Sequence, residues 1–205
     1  MPPHSDSRDK WNNRHSSQEL SLAACEVLQK HIHLLAKRGT ALDLACGLGR
    51  NAIQLAQHGL QCDAIDISDV AIDRLQKYAN HNNLNINAER ADIERDGIGS
   101  KKYDVIVVSY FLFRPLLPAI VRALKPGGLL FYQTFVRPIT SENGVILKSP
   151  ANASFYLEKN ELCAQFKQLE IRYYQETILD RNTSTAPVAM LVARMPSGDN
   201  PKQIS

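Results

Sequence analysis

The stretch "ALDLACGLGRNAIQLAQHGL", residues 41–60, decides the fold. It reads as an apolar strand, a tight glycine turn, and a helix stopped by Gly59. Gly47 and Gly49 sit where the backbone leaves the strand. Without Cβ atoms they allow a sharp turn and a close approach by a ligand. Gly47-x-Gly49-x-x-Ala52 also satisfies the loose dinucleotide pattern, which alone is a weak signal. No Lys-Ser or Lys-Thr follows the turn, so it lacks the parts of a Walker phosphate cradle.

Outward from this stretch, strands and helices alternate. A strand over about 40–45 and a helix over about 49–58 lead to a second strand, "QCDAID", at about 61–66. Ser68 caps a helix carrying Val70, Ala71, Arg74, Leu75 and Tyr78. "LNINAERAD" reads as the third strand. "YDVIVVS", residues 103–109, is a continuous apolar run, the mark of a central parallel strand covered on both faces. Pro115 suits the first turn of the next helix, with Leu116, Leu117, Ile120, Val121 and Leu124 as its inner stripe. "KPGG" turns into a fifth strand, "LLFYQTF", and a short helix follows near 158–167. "LEIRYYQET" and "VAMLVARM" flank "ILDRNTSTAP" with no helix between them, so this last pair should be antiparallel.

The ends read differently. Residues 1–16 form a polar arm, placed to act as a lid. Ser16 and Glu19 match a capping box, and Leu20, Ala24, Val27, Leu28, Ile32 and Leu35 recur at helical spacing behind it. The catalytic-type domain spans 17–195, and residues 196–205 read as a disordered tail.

Composition excludes several classes. The chain has 205 residues, 44% hydrophobic and 22% charged, as in one ordinary globular domain. No apolar run reaches about 18 residues, so no membrane span is expected. The N-terminus has no secretory h-region, and cysteines at 25, 46, 62 and 163 form neither CxxC pairs nor metal-ligand spacings. Reduced thiols in a cytoplasmic protein, with no metal, is the plain expectation. The net charge of +3 is scattered, which makes nucleic acid an unfavoured partner without excluding it.

Alternating strands and helices require a doubly wound parallel sheet with right-handed crossovers. Ligands of such sheets sit outside the carboxyl ends of the strands. Gly47, Asp66, Asp92 and Ser109 all fall at predicted strand ends, so they should converge on one rim. Asp66, nineteen residues after Gly47, is placed to accept both hydroxyls of a ribose, although it could equally cap the helix that follows. Asp92 can accept a hydrogen bond from an exocyclic adenine amine, or be an ordinary loop acid. Asp43 lies within the first strand, where a structural bond to the loop and a cofactor role are both open. A dehydrogenase would need a substrate domain or a Tyr/Lys pair, and neither is evident.

Here a resemblance enters. "ALDLACGLGRNA", "CDAIDIS", "RADIE", "YDVIVVSYF" and "LKPGGLLFYQTF" resemble the ordered motifs of class I S-adenosylmethionine-dependent methyltransferases over residues 17–195. "DKWNNRHS" and the "ACGLGRNA" form are similar to the tellurite-resistance-type branch. The resemblance implies an α/β, Rossmann-like, seven-stranded sheet in the order 3-2-1-4-5-7-6, with the last strand antiparallel. It implies S-adenosylmethionine as cofactor. The loop Ala45, Cys46, Gly47 to Gly49 would wrap the methionine part. Asp66 and Ile67 would take the ribose, Asp92 and Ile93 the adenine, and Ser109 would line the cleft. Trp11 and Arg14 either pack on the first helix or fold over the cofactor, Arg14 pairing with its carboxylate.

The acceptor is less legible. Tyr110, Gln133, Arg114 and Arg137 are candidates for its pocket, the arginines because they suit an anion. "SYFLFRP" lacks the Asn/Asp-Pro-Pro-aromatic motif of amino-base enzymes. No cysteine near the fourth or fifth strand suggests a covalent cytosine route, and no general base is evident. Elimination leaves a small-molecule acceptor, for instance a thiol or a chalcogen oxyanion. RNA, a non-catalytic S-adenosylmethionine-binding module and a nicotinamide oxidoreductase stay open.

Overall fold

A computed structural model describes residues 4–137, 153–181 and 184–198. Seven strands form one sheet: β1 (Thr40–Leu44), β2 (Gln61–Asp66), β3 (Ile86–Arg90), β4 (Tyr103–Ser109), β5 (Leu124–Phe135), β6 (Glu170–Arg181) and β7 (Ser184–Arg194). Their order is β3-β2-β1-β4-β5-β7-β6. β1 to β5 pair in parallel, and β7 runs antiparallel to both β5 and β6. This is the doubly wound sheet implied by the sequence.

Alternation along each strand builds two cores. Leu42, Leu44, Ile106, Val108, Leu130 and Tyr132 point to one face. There they meet α5 (Ile93–Asp96), α6 (Leu117–Ala123) and α7 (Glu161–Gln165) through Ile93, Leu117, Ile120 and Leu162. Ala41, Cys62, Ala64, Val105, Val107 and Phe131 point to the other. They are covered by α2 (Glu26–Lys30), α3 (Arg50–His58) and α4 (Asp69–His81) through Val27, Leu28, Ile53, Leu55 and Leu75. A residue fully buried on either face withdraws about 1.5–3 kcal/mol of apolar surface from water.

The structure corrects the N-terminal reading. The expected arm is helical: α1 (His4–Ser17) runs through it and packs on α4. Ser16 therefore ends a helix rather than capping one, and its hydroxyl bonds back to Asn13 O at 2.8 Å. The expected helix from Leu20 shrinks to α2 and a short 3₁₀ turn, Ile32–Leu34. Tertiary partners set that start. Asn51 Oδ1 accepts from the Cys25 N–H, and Gln133 Oε1 from the Val27 N–H, each at 2.9 Å. These satisfy amides that a local cap would otherwise serve.

Two strands outgrow their expected limits. β5 begins at Leu124 and runs through "KPGG", whose Gly127 holds φ +75° beside a register shift between Tyr103 and Val105. β6 and β7 extend through most of the expected loop, of which residues 182–183 lie outside the described chain. Of the expected disordered tail, 196–198 are described and 199–205 are not.

Candidate functional site

The turn after β1 is held from three sides. Ala45, Gly47 and Gly49 all have positive φ, at +55°, +53° and +78°. The Cys46 N–H donates to Ile65 O at 3.0 Å, and the Gly47 N–H donates to Asp66 Oδ2 at 2.8 Å. Below the loop, fully buried Asp43 accepts from Ala52 N at 2.9 Å and from Asn51 Nδ2 at 3.3 Å. Asp43 thus ties the start of α3 to β1, the structural alternative of the sequence reading. Burial pushes its carboxyl up to about 7 despite those hydrogen bonds.

Asp66 and Asp92 end β2 and precede α5 on the same rim, and both are buried. Asp66 Oδ1 accepts from Ser68 N at 2.9 Å. Each Asp66 oxygen so accepts one backbone N–H and, by its lone-pair count, can take a second donor. Asp92 caps α5, accepting from Arg95 N at 3.3 Å, with Ile93 behind it in the core. Ile67 lies half-buried beside Asp66. Ser109 ends β4, and its Oγ accepts from Asn51 Nδ2 at 2.9 Å.

α1 packs on α4 beside this rim. Asn12 Oδ1 accepts from Ser68 Oγ at 2.7 Å and Val70 N at 3.3 Å, which docks α1 on the start of α4. Arg74 donates to His15 O and Gln18 O, tying down the end of α1. Trp11 stacks on His15 with centroids 5.6 Å apart, and Arg14 lies over the indole at 5.2 Å. His15 is the residue that sequence reasoning missed. It is 95% buried, being 5% exposed, and its Nε2 stands 3.5 Å from where a Gly47 Cβ would lie. Its Nδ1 has no partner. The sequence signal was its place beside Arg14 within "DKWNNRHS".

The acceptor candidates divide. Arg114 is spent inside the protein: it clasps both oxygens of Glu161, at 2.6 and 2.9 Å, and donates to Tyr156 O at 2.8 Å. Arg137 pairs with Glu158 on the surface. Neither arginine is set as a bare anion hook. Tyr110 and Gln133 do come together at the ends of β4 and β5, joined by Glu26. Because Arg114 binds α7 to the chain after β4, Arg114→Ala should lower unfolding free energy by about 1–2 kcal/mol in urea melts, discounted for its partial exposure. Cofactor affinity should stay unchanged.

Electrostatics give a second expectation. Burial lowers His15 below its ordinary value, with Asp66 opposing and Arg14 and Arg74 assisting. A histidine depressed in the folded state contributes stability that is present above 6.5 and lost as pH falls past it. Asp43 acts oppositely. Its folded value is raised, so stability is lost as pH climbs from about 4 towards about 7. Thermal melts from pH 4 to 8 should therefore show these slopes opposing. Asp43→Asn should remove the fall in stability as pH rises from about 4 to about 7, and His15→Phe the fall as pH drops below 6.5.

Three of the four thiols are buried, and Cys163 is partly exposed. The four cysteines are free, and burial raises the Cys25, Cys46 and Cys62 thiols, Cys25 to about 12. Among the described residues no His/Cys/Asp/Glu group suits a metal ion, and no helix is long and apolar enough to cross a membrane.

The cleft's donor set suits a nucleoside carrying an amino acid and no phosphates. Buried Asp66 and Asp92 lie with the positive-φ Gly47 and Gly49 at the carboxyl ends of neighbouring strands, and the His15 ring stands beside Gly47. Comparison with known proteins agrees. Residues 41–128 match a family described as "Methyltransferase domain". The chain is 31% identical over 144 residues to a "Probable S-adenosyl-L-methionine-dependent methyltransferase TehB" of Haemophilus influenzae, covering 67% of this chain and 48% of that protein. This chain belongs to the S-adenosylmethionine-dependent methyltransferase family. A "Ubiquinone biosynthesis O-methyltransferase" of Coxiella burnetii is 29% identical over 138 residues, 63% of this chain and 58% of its own length. The methyltransferase domain thus spans about half to three-fifths of these curated relatives. The crystal structure of TehB from Haemophilus influenzae superposes with a TM-score of 0.72 at 21% identity, covering 90% of this chain and 67% of that one, which is a likeness of fold.

Proposed function

We propose that this methyltransferase moves a methyl group from S-adenosylmethionine to a small molecule carrying a soft nucleophile, a thiol or a chalcogen oxyanion. The observation that carries the reading is Asp66, a buried carboxylate that braces the glycine loop and still has lone pairs for two hydroxyls. Bound there, S-adenosylmethionine supplies a methyl group already activated on a sulfonium sulfur. The protein's own task is then to hold, align and dry the reactants. Alignment alone is worth about 7–11 kcal/mol.

Each residue has a part in that task. Asp66 grips the ribose and Asp92 the adenine edge. The Ala45–Gly49 loop lets the methionine part come close to backbone. Trp11, Arg14 and His15 on α1 shut out water above it. Ser109 and Tyr110 line the exit toward the acceptor.

Calorimetric titration with S-adenosylmethionine and with NADH, followed by transfer assays across thiols, selenite, tellurite, amines and RNA, tests the reading. Binding of S-adenosylmethionine and methylation of a small molecule is the expected result. NADH binding alone overturns it. Transfer only to RNA overturns the small-molecule acceptor, and tight binding without any turnover makes the domain a binding module.

A further inference from the structure

Three segments remote in sequence meet at the mouth between β4 and β5. Glu26 opens α2, Tyr110 follows β4, and Gln133 lies near the end of β5. The Tyr110 hydroxyl donates to Glu26 Oε2 at 3.3 Å. Gln133 Nε2 donates to that same oxygen and to the Tyr110 oxygen. Gln133 Oε1 accepts from the Val27 N–H at 2.9 Å. Both N–H groups of the Gln133 amide and its carbonyl oxygen are thus engaged, and its orientation is set by backbone. That in turn sets the carboxylate.

The mouth carries strain as well. Tyr110 holds φ +56°, a left-handed conformation that is strained for a non-glycine residue. Its N–H donates to Gln133 O at 2.7 Å, which keeps it there. Its ring packs against Phe135 at 5.0 Å and under the Arg50 guanidinium at 5.5 Å. Gln133 is buried, whereas Glu26, Tyr110, Arg50 and Phe135 are each half-exposed. Ser109, next to Tyr110, connects this group through Asn51 to the start of α3 and so to the glycine loop. A braced carboxylate with an aromatic wall therefore sits beside the cofactor rim.

We propose that Glu26 is the proton acceptor of the methyl-acceptor subsite, which selects nucleophiles that bear a proton on the attacked atom, neutral or cationic, over oxyanions. This rests on the methyltransferase reading; it keeps the thiol of the proposed acceptor class, sets the chalcogen oxyanion aside, and admits an amine. In the step, the acceptor S–H or N–H, an ammonium included, gives its proton to a Glu26 carboxylate oxygen, and the lone pair so freed forms the new bond to the methyl carbon. The carbon–sulfur pair returns to sulfur. A bare oxyanion has no proton to give and is repelled by the same charge. The braced geometry matters because a general base must lie within hydrogen-bond reach of the proton it takes.

The test uses the full chain saturated with S-adenosylhomocysteine and three probes of one shape: benzylamine, benzyl mercaptan and benzoate. Calorimetry at pH 7.5 should show benzylamine or benzyl mercaptan binding at least about tenfold more tightly than benzoate. Glu26→Gln should erase or reverse that order with S-adenosylhomocysteine affinity unchanged, and Glu26→Asp should keep the order. For a methylated probe, Glu26→Gln should lower kcat/KM by about 100-fold or more. Benzoate binding best would mean that Arg50 governs the subsite, and would overturn the proposal. So would an unchanged order in Glu26→Gln, or no probe binding to a protein that holds S-adenosylhomocysteine. Failure to bind S-adenosylhomocysteine at all would instead sink the methyltransferase reading.

Discussion

Asp66→Ala should weaken S-adenosylmethionine binding by at least about 100-fold, measured by calorimetry on protein with an unchanged circular dichroism spectrum. The residue contributes a buried, fixed acceptor whose two oxygens each hold one backbone N–H already. A ribose would add two charge-assisted hydrogen bonds, worth about 1.5–3 kcal/mol each. Losing both amounts to two or more powers of ten in affinity. The substitution also releases the Gly47 N–H, so the loop loses its brace. Asp66→Asn keeps the shape and one acceptor, and should fall between wild type and Asp66→Ala. An affinity within about threefold of wild type for Asp66→Ala would mean that the sugar lies elsewhere.

Gly49→Ala should be the most destabilising single-atom-scale change in the glycine loop, at about 2–5 kcal/mol in urea unfolding. Two effects add. At φ +78° a side chain pays about 1–2 kcal/mol. A Cβ would also fall 2.4 Å from both methyl carbons of Leu75, which is itself fully buried, and overpacking costs about 1–3 kcal/mol more. Gly47→Ala isolates the first effect. At φ +53° its Cβ would meet His15 Nε2 at 3.5 Å, an ordinary contact, so stability should fall by only about 1–2 kcal/mol. That new methyl group would nonetheless enter the cleft, and Gly47→Ala should lose cofactor affinity while staying folded. Equal destabilisation by the two substitutions would contradict this packing.

How much was legible follows from range. The continuous apolar run of "YDVIVVS" and the helical spacing on α4 are local patterns, and both survive in the structure because the strand is buried on both faces and the helix on one. Asp66 and Asp92 were legible because the end of a parallel strand is itself a place. The N-terminal helix was misread because its ends are not set locally. The capping-box pattern at Ser16 and Glu19 loses to Asn12 on Ser68, Arg74 on the α1 carbonyls, and Asn51 and Gln133 on the α2 amides. Arg114 looked like an anion hook because a guanidinium near a strand end suits one. Its bidentate partner, Glu161, is 47 residues away and carried no signal.

The sequence by itself determined the alternating α/β order, the glycine turn and the carboxylates at the strand ends, because hydrophobic period and backbone permissiveness are properties of neighbouring residues. Only the tertiary structure decided that His15 overhangs Gly47, that Asp43 is a buried brace, and that Glu26 meets Tyr110 and Gln133 across 84 and 107 residues. Those are hydrogen bonds and contacts between distant segments. Their partners are chosen by how the sheet and its helices pack, and no local pattern encodes them.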